Sequence, residues 1–437
     1  MYKFLSKRLP NFFRYVNKVY GFSKIINSMK DKRSNTELSP QTIFLSAFLC
    51  CLLRFGSLNR LEFEAKNKRL SKFLKTNKCD KDTFCANSMA NGLENIDTDI
   101  LENHAVSIPK KMKRNKVFCV SIGGLKIASV DGTETYRSDK ICCNECLEYH
   151  IKTKEGIKID YVHRIVLMQM TGKIGSSYVQ AILGMEKILP KDITGDTSEE
   201  GHEGETTSAR RLILRMIKEY GKAFFEVLTT DAAYTNAPFV RFLHGLGKYL
   251  VSRVKNERTD LYKEIESLSE LVRPVVINDW KEKVESWIYE IPGLSAWLAE
   301  EVPTRGFKII EKSYKEESGK RIYTKEEVFR CVTTLPEDKA DGNVIRQIVH
   351  CKWGIENNGF KELKDNWFLT HNYHHHPNAI EAMLLILFIA YNLFYSYIYR
   401  HIKTYRLYGL AINHIVEEMI CSYITQKWRM SWLTFDG

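Results

Sequence analysis

Asp131, Asp231 and Glu356 are the side chains whose type and setting suit chemistry on phosphate esters. Phosphoryl transfer on a nucleic-acid backbone asks little covalent work of a protein. It asks for hard divalent cations held by oxygen ligands, which activate the attacking oxygen and stabilise the leaving one. A chain built for this brings several carboxylates together, usually from strand ends where the backbone is fixed. Asp131 closes LKIASVD and Asp231 closes FEVLTTD. Each follows a β-branched run and precedes a small residue, Gly132 or Ala232, so that the carboxylate points outward at a sheet edge. Adjacent strands of a mixed sheet would set those two ends side by side. Glu356 stands mid-helix among Trp353, Ile355 and Phe360, an odd place for a lone carboxylate unless it meets something. Taken singly, a terminal Asp is most often a turn former or helix cap, and a mid-helix Glu is usually solvated. The set, in the order strand Asp, strand Asp, helix Glu, separates these three from that background.

Other constellations carry weaker signals. Cys143-x-x-Cys146 with His150, and Cys142 beside them, has metal-like spacing. A closed zinc site would need a fourth ligand, either His163 or Cys142, and no second CxxC pair exists, so free thiols are the expectation. His371, His374, His375 and His376 precede Pro377 in what reads as a polar loop between helices. The acidic run Glu199, Glu200, Glu203 and Glu205 suits a helix N-terminus and its dipole rather than catalysis. Trp280, Trp287 and Trp297 are expected in core or interface packing, with stacking on an extruded base as the functional alternative.

The elements that must position these residues follow from periodicity and punctuation. Residues 1–112 read as a helical N-terminal domain, with Ser39-Pro40 starting an apolar helix that ends at Gly56. Lys110, Lys111, Lys113, Arg114 and Lys116 mark a boundary, read as a solvated linker. From residue 117 the texture turns to strands: VFCVSI, LKIASVDGT, YVHRIVLMQMTG and SSYVQAILGMEKIL, with Gly172 and Lys173 as the turn between the last two. The helix TTSARRLILRMIKEYG stops at Gly221; FFEVLTTDAAY is a strand, NAPFVRFLHGLG a short helix and KYLVSRVK a strand. Residues 113–255 thereby describe a mixed sheet with helices packed on it, an α/β or α+β core. Residues 256–335 read as a β-rich insertion. Residues 336–437 return to the core with a long helix from Asn343 and an apolar helix from Ile380 to about Arg400.

The chain of 437 residues is long enough for two or three domains, and with 44% hydrophobic and 12% aromatic residues it is not a mainly disordered one. A net charge of +12 suits a polyanionic partner, because each phosphate neutralised releases counterions. Eleven cysteines in so long a chain do not form a disulfide framework, and the opening MYKFLSKRLPNFFRYVNK interrupts itself with charge, so a reducing cytoplasmic setting is expected. AMLLILFIAYNLFYSYIY, residues 382–399, reaches the length of a short membrane span. Asn392 mid-run, the four tyrosines and Glu381 at its start point instead to a buried core helix, and no membrane partner is expected.

VDGTETYRS, YVHRIV, GHEGETTSARRL, TTDAAYTN, KWGIENNGFKELK and AIEAMLLILFIAYNLF, spread over about residues 117 to 400, resemble in content and order the DDE transposases of bacterial cut-and-paste insertion sequences, in the branch with a Tyr-Arg-Glu-Lys signature. The resemblance implies an α/β, RNase H-like mixed sheet with flanking helices, a β-rich insertion and a helical N-terminal domain that reads DNA ends. It implies that Asp131, Asp231 and Glu356 are the catalytic triad and bind two Mg2+ or Mn2+ ions, and that the protein cleaves element ends and joins them to target DNA. The implied partners are double-stranded DNA, namely terminal inverted repeats and target, and a second copy of the chain in a synaptic complex. The signature itself is imperfect: Val349, Lys352 and Leu363 stand where Tyr, Arg and Lys are expected. Lys352 keeps the charge one turn before Glu356, and Lys364, Lys361 and Arg346 are the other candidate DNA contacts. The departures at Val349 and Leu363 keep open a second reading, a catalytically inactive DNA-binding protein derived from such an element.

Overall fold

Alternating β-branched and polar residues from position 127 onward lay down one mixed sheet. The computed structural model describes the chain except residues 1–6, 35–37, 71–82, 118–120, 155, 175–176, 195–202, 297–300, 318, 355–358, 403–411 and 426–437; at 172–174, 177–179, 194 and 353–354 it describes the backbone alone. The strands are β1 (Ile127–Ser138), β2 (Leu147–Thr153), β3 (Gly156–Ile174), β4 (Ser177–Ile188), β5 (Val227–Thr230), β6 (Tyr249–Val254), β7 (Val275–Asp279), β8 (Val284–Ile291), β9 (Arg305–Glu317) and β10 (Lys320–Thr333). They run in the order β2-β3-β1-β5-β6-β10-β9-β8-β7, with β4 also on β3. β1, β5 and β6 are parallel to one another, and the remaining pairs are antiparallel. This is the mixed α/β core of an RNase H-like fold. The strands between residues 256 and 335 lie in the same sheet, entering it through β10, which pairs with β6 from Arg330↔Val254 to Thr333↔Val251. β3 runs past Gly172 and Lys173, which pair with Val179 and Tyr178, so the reversal comes later than those two residues.

The helices are α1 (Arg8–Tyr20), α2 (Phe22–Asn27), α3 (Pro40–Leu52), α4 (Leu58–Lys66), α5 (Ala86–Asn95), α6 (Thr98–Arg114), α7 (Lys191–Thr194), α8 (Glu205–Tyr220), α9 (Ala237–Gly245), α10 (Asp260–Ser269), α11 (Gly342–Gly354), α12 (Lys361–Trp367), α13 (Pro377–His401) and α14 (Ile412–Thr425). Their starts obey local chemistry. The Ser39 hydroxyl accepts from the Thr42 N–H ahead of Pro40, and Asn236 accepts from the Phe239 N–H ahead of α9. The basic run at 110–116 is the end of α6 rather than a linker. Lysines suit the negative end of a helix dipole, and here Lys111 donates to the Tyr20 carbonyl at 2.8 Å while Lys110 pairs with Glu219 at 3.3 Å.

Two cores sandwich the centre of the sheet. On one face Ala128, Val130 and Leu228 pack with Leu212, Ile213 and Met216 of α8 and Phe239 and Leu243 of α9. On the other, Ile127 and Val227 pack with Ile345, Ile348 and Val349 of α11. A third, larger core joins α13 to the N-terminal helices and to Ile165, Leu167 and Ile182 of β3 and β4.

α13 is long and apolar enough to cross a membrane, yet 89% of its most apolar window is buried inside the protein. Asn392 explains its own place there. Its amide accepts from the Ile182 N–H at 2.9 Å and donates to the Ile182 carbonyl at 2.8 Å, satisfying both backbone groups on the side of β4 that faces away from β3. Asn392→Leu is therefore expected to lower unfolding free energy by about 2–4 kcal/mol, since two buried backbone groups lose their partners. Chemical denaturation of the variant checks this, and a change under about 0.5 kcal/mol would contradict the role.

Candidate active site

The register between β1 and β5 sets the geometry. Ile127, Ala128 and Ser129 pair in parallel with Val227, Leu228 and Thr229. Asp131 and Asp231 each come two residues after the last pair: Asp231 directly follows the end of β5, whereas Asp131 lies within β1, which runs on to Ser138 beside β3, at the point where its pairing with β5 has stopped. Side chains alternate along a strand, so Ser129 and Asp131 share the α11 face of the sheet with Ile127. Ser129 and Thr229 meet there through their hydroxyls at 2.5 Å.

Two lysines answer the two acids. Lys352, on the last turn of α11, stands one stripe along from Ile345 and Val349 and places its ammonium 2.5 Å from Asp131 Oδ2; its side chain is 2% exposed. Lys255, just after β6, places its ammonium 2.7 Å from Asp231 Oδ1. That contact is close but poorly aligned, and Asp231 Oδ1 is buried without a hydrogen bond of good geometry. Burial pushes the Asp231 carboxyl up. The Lys255 ammonium, the Ala232 N–H and the charge of Lys352 outweigh it and hold the group below its ordinary value, so it is ionised at neutral pH.

Behind the aspartates sits a residue whose sequence context suggests only a complement to a helix dipole. Glu205, first residue of α8, accepts from the Gly132 N–H at 3.1 Å and from the Tyr234 hydroxyl at 2.7 Å through Oε1, and from Arg164 at 2.8 Å through Oε2. Gly132 follows Asp131 and Tyr234 lies in the short turn after Asp231, so this one carboxylate ties the two aspartate-bearing segments together. Burial, then the Glu205 charge, raises the Tyr234 hydroxyl far above its usual value, which keeps it a donor. The fit is so close that a Cβ on Gly132 would lie 2.1 Å from Glu205 Oε2. The TTDAAY motif pointed at Asp231 but gave no sign of its Tyr as part of a clamp. Lys255 likewise had no sequence signal beyond the general basic charge.

The other candidates fall in different places. Glu356 lies outside the described residues, as do Glu199, Glu200 and Trp297. Arg346 points inward: its Nε is 2.5 Å from Glu311 in a buried ion pair, which His350 joins at 2.9 Å. Lys361 and Lys364 are exposed on α12. Val349 and Leu363, the two departures from the signature, are both buried, Val349 in the core under α11 and Leu363 beside Trp367 in the core around α13. Their apolar character thus has a packing reason. Trp280 is 64% exposed with the Arg321 guanidinium over its ring at 4.4 Å, and Lys312 lies over Trp287 at 4.8 Å.

Could this donor set hold a divalent cation? Hard carboxylate oxygens stand on adjacent strands at matched register, Asp231 Oδ1 is buried without a well-aligned hydrogen bond, and a cationic side chain already faces each carboxylate. Oxygen donors in this arrangement fit Mg2+ or Mn2+. The fold and site together define an RNase H-like core with acidic residues where the parallel pairing of its central strands stops. Residues 187–393 match the family model of the transposase DDE domain, a span that contains Asp231, Lys255, Lys352 and Glu356 and begins after β1. That match supports a DDE-type insertion-sequence transposase, a family that acts on DNA and uses divalent metal ions. No curated protein matches the chain.

Proposed function

We propose that the protein cleaves the ends of a mobile element and joins the freed 3′-OH to target DNA by two-metal-ion phosphoryl transfer, with Asp131, Asp231 and Glu356 as metal ligands. The observation that carries this reading is the matched register of Asp131 and Asp231 on adjacent parallel strands, each carboxylate faced by an ammonium group. Two Mg2+ or Mn2+ ions there would activate the attacking oxygen and stabilise the leaving one. Asp131 and Asp231 fix the oxygen donors, and Lys352 and Lys255 offset the repulsion of two ionised carboxylates held side by side. Glu205, through Gly132 and Tyr234, fixes the spacing between the two aspartate-bearing segments. Glu356 follows Lys352 by four residues and would supply the third carboxylate. Double-stranded DNA bearing terminal inverted repeats is the substrate in this reading, a homodimer brings two ends together, and the cytoplasm is the setting.

Lys361 and Lys364, exposed on α12, would contact phosphates; Lys352 and Arg346, both turned inward, would act on DNA through the residues they pair with. Replacing Lys361 and Lys364 together with Ala should weaken DNA binding and reduce the slope of log affinity against log salt by about 0.9 per lost contact. The deciding experiment incubates the full chain with duplex DNA carrying the element's ends. Strand breakage that leaves a 3′-OH, present with Mg2+ and absent with EDTA, is expected. Tight binding of the ends without breakage in either Mg2+ or Mn2+ would overturn the reading.

A further inference from the structure

Away from the carboxylates, four side chains that soft and borderline metals favour meet at one point. Cys143 and Cys146 lie in the turn between β1 and β2, His163 on β3, and His375 in the loop before α13. The two sulfurs are 3.8 Å apart, His163 Nε2 is 3.3 Å from each, and His375 Nε2 is 3.5 Å from Cys146 Sγ. All four ligand atoms lie within 4.8 Å of one another. Zinc bonds of about 2.3 Å to sulfur and 2.0–2.1 Å to nitrogen, at tetrahedral angles, give edges of roughly 3.8 Å between sulfurs and 3.6 Å between sulfur and nitrogen. Four edges, of 3.3 to 3.8 Å, lie close to those of such a tetrahedron, and the remaining two are no longer than 4.8 Å. A disulfide would need the sulfurs about 2.0 Å apart.

The surroundings agree. Cys146 and His163 are buried, and the Cys143 N–H points at Cys146 Sγ at 3.3 Å, an interaction that favours a thiolate. Asn372 places its amide nitrogen 3.3 Å from His375 Nδ1 while its Oδ1 is buried without a partner. Turning that amide over lets Oδ1 accept from His375 Nδ1–H, which satisfies both groups and leaves the Nε2 lone pair for a metal. The Tyr136 ring lies 4.6 Å from the His375 ring and covers it. His150 and Cys142, the neighbours that sequence spacing suggested, are elsewhere: His150 is 59% exposed beside Glu148, and Cys142 is exposed. The histidine run is not merely a polar loop either, since His375 joins the cysteines and His374 pairs with Glu94 at 2.5 Å.

We propose that Cys143, Cys146, His163 and His375 bind one zinc ion as a closed structural site that fastens the turn after β1, and β3, to the loop leading into α13. Two thiolates and two neutral imidazoles balance the ion's charge and leave no open position, the mark of a structural rather than a catalytic centre. The ligands span 229 residues between Cys146 and His375, so the ion cross-links the strand that carries Asp131 to the C-terminal helical region.

Elemental analysis of the full chain, expressed in zinc-supplemented medium and purified under reducing conditions, tests this. One zinc per chain is expected, and replacement by Co2+ should give thiolate-to-cobalt charge-transfer absorption with the intense visible bands of a tetrahedral ion. Cys143→Ser and His375→Gln should each lower zinc content roughly tenfold or more, while Cys142→Ser, His150→Gln and Asp131→Asn keep it. Soluble wild-type chain holding less than about a tenth of an equivalent, or His375→Gln with undiminished zinc, would overturn the site. If a ligand variant does not fold, the wild-type zinc content and cobalt spectrum decide alone.

Discussion

Asp131→Asn is expected to reduce metal-dependent strand cleavage by at least about 10²- to 10³-fold, the loss that follows removal of one group from a preorganised charged site. It should also lower stability, and for a separable reason. Lys352 is nearly fully buried and its ammonium lies 2.5 Å from Asp131, so the substitution removes an anionic partner from a charge held out of water. Breaking a buried pair costs about 3–5 kcal/mol at most; the Asn carbonyl can still accept a hydrogen bond, which brings the expected loss to about 1–3 kcal/mol. Pairing Asp131→Asn with Lys352→Met removes the buried charge and should recover most of that stability, while cleavage stays lost. Denaturant unfolding and nicking of end-containing DNA, measured on the same three proteins, separate the effects. Cleavage restored in the double variant would mean that Asp131 serves only to neutralise Lys352.

That separation matters because the carboxylates were legible in the sequence and their partners were not. An Asp after a β-branched run is a local pattern, and both Asp131 and Asp231 could be picked out by it, although only Asp231 ends its strand and β1 runs on past Asp131 to Ser138. That they share a sheet edge follows from pairing β1 with β5, residues about a hundred apart in the chain, and from parallel register rather than from composition. α8, α9, β5 and β6 were readable for the same reason as the aspartates: each has its own periodicity, cap or stop, such as Asn236 before α9 and Gly221 after α8. Long-range contacts have no such signature. Arg346 looked like a surface cation and is committed to Glu311, 35 residues earlier on β9. The CxxC pair was visible, but its companion His375 sits in a histidine run whose spacing singles out no member. His150 was nearer in sequence and wrong in space, because alternation along β2 turns it to solvent beside Glu148.

Gly132 makes the same point through an absence. Nothing in a strand asks for glycine after Asp131, and its backbone is not in the left-handed region that only glycine favours. The reason is Glu205, whose carboxylate occupies the space a Cβ would need. A carboxylate at the end of a flexible side chain would normally yield to a methyl group, but this one is held by Arg164 and Tyr234 as well as by the Gly132 N–H. Gly132→Ala must therefore break the clamp or displace β1. It is expected to lower cleavage by about 10²-fold, the scale of effect from moving a reacting group by roughly 1 Å, and to lower stability by about 1–3 kcal/mol. Glu205→Ala alone should also impair cleavage, since the two aspartate-bearing segments lose their shared anchor and Tyr234 keeps a buried hydroxyl with no acceptor. With Glu205 already replaced, however, the added methyl at Gly132 no longer meets that carboxylate. The double variant should then be no worse than Glu205→Ala, a coupling of about 1 kcal/mol or more between the two positions. Effects that simply add, in stability and in cleavage alike, would show that Glu205 does not link the aspartate-bearing strands through Gly132.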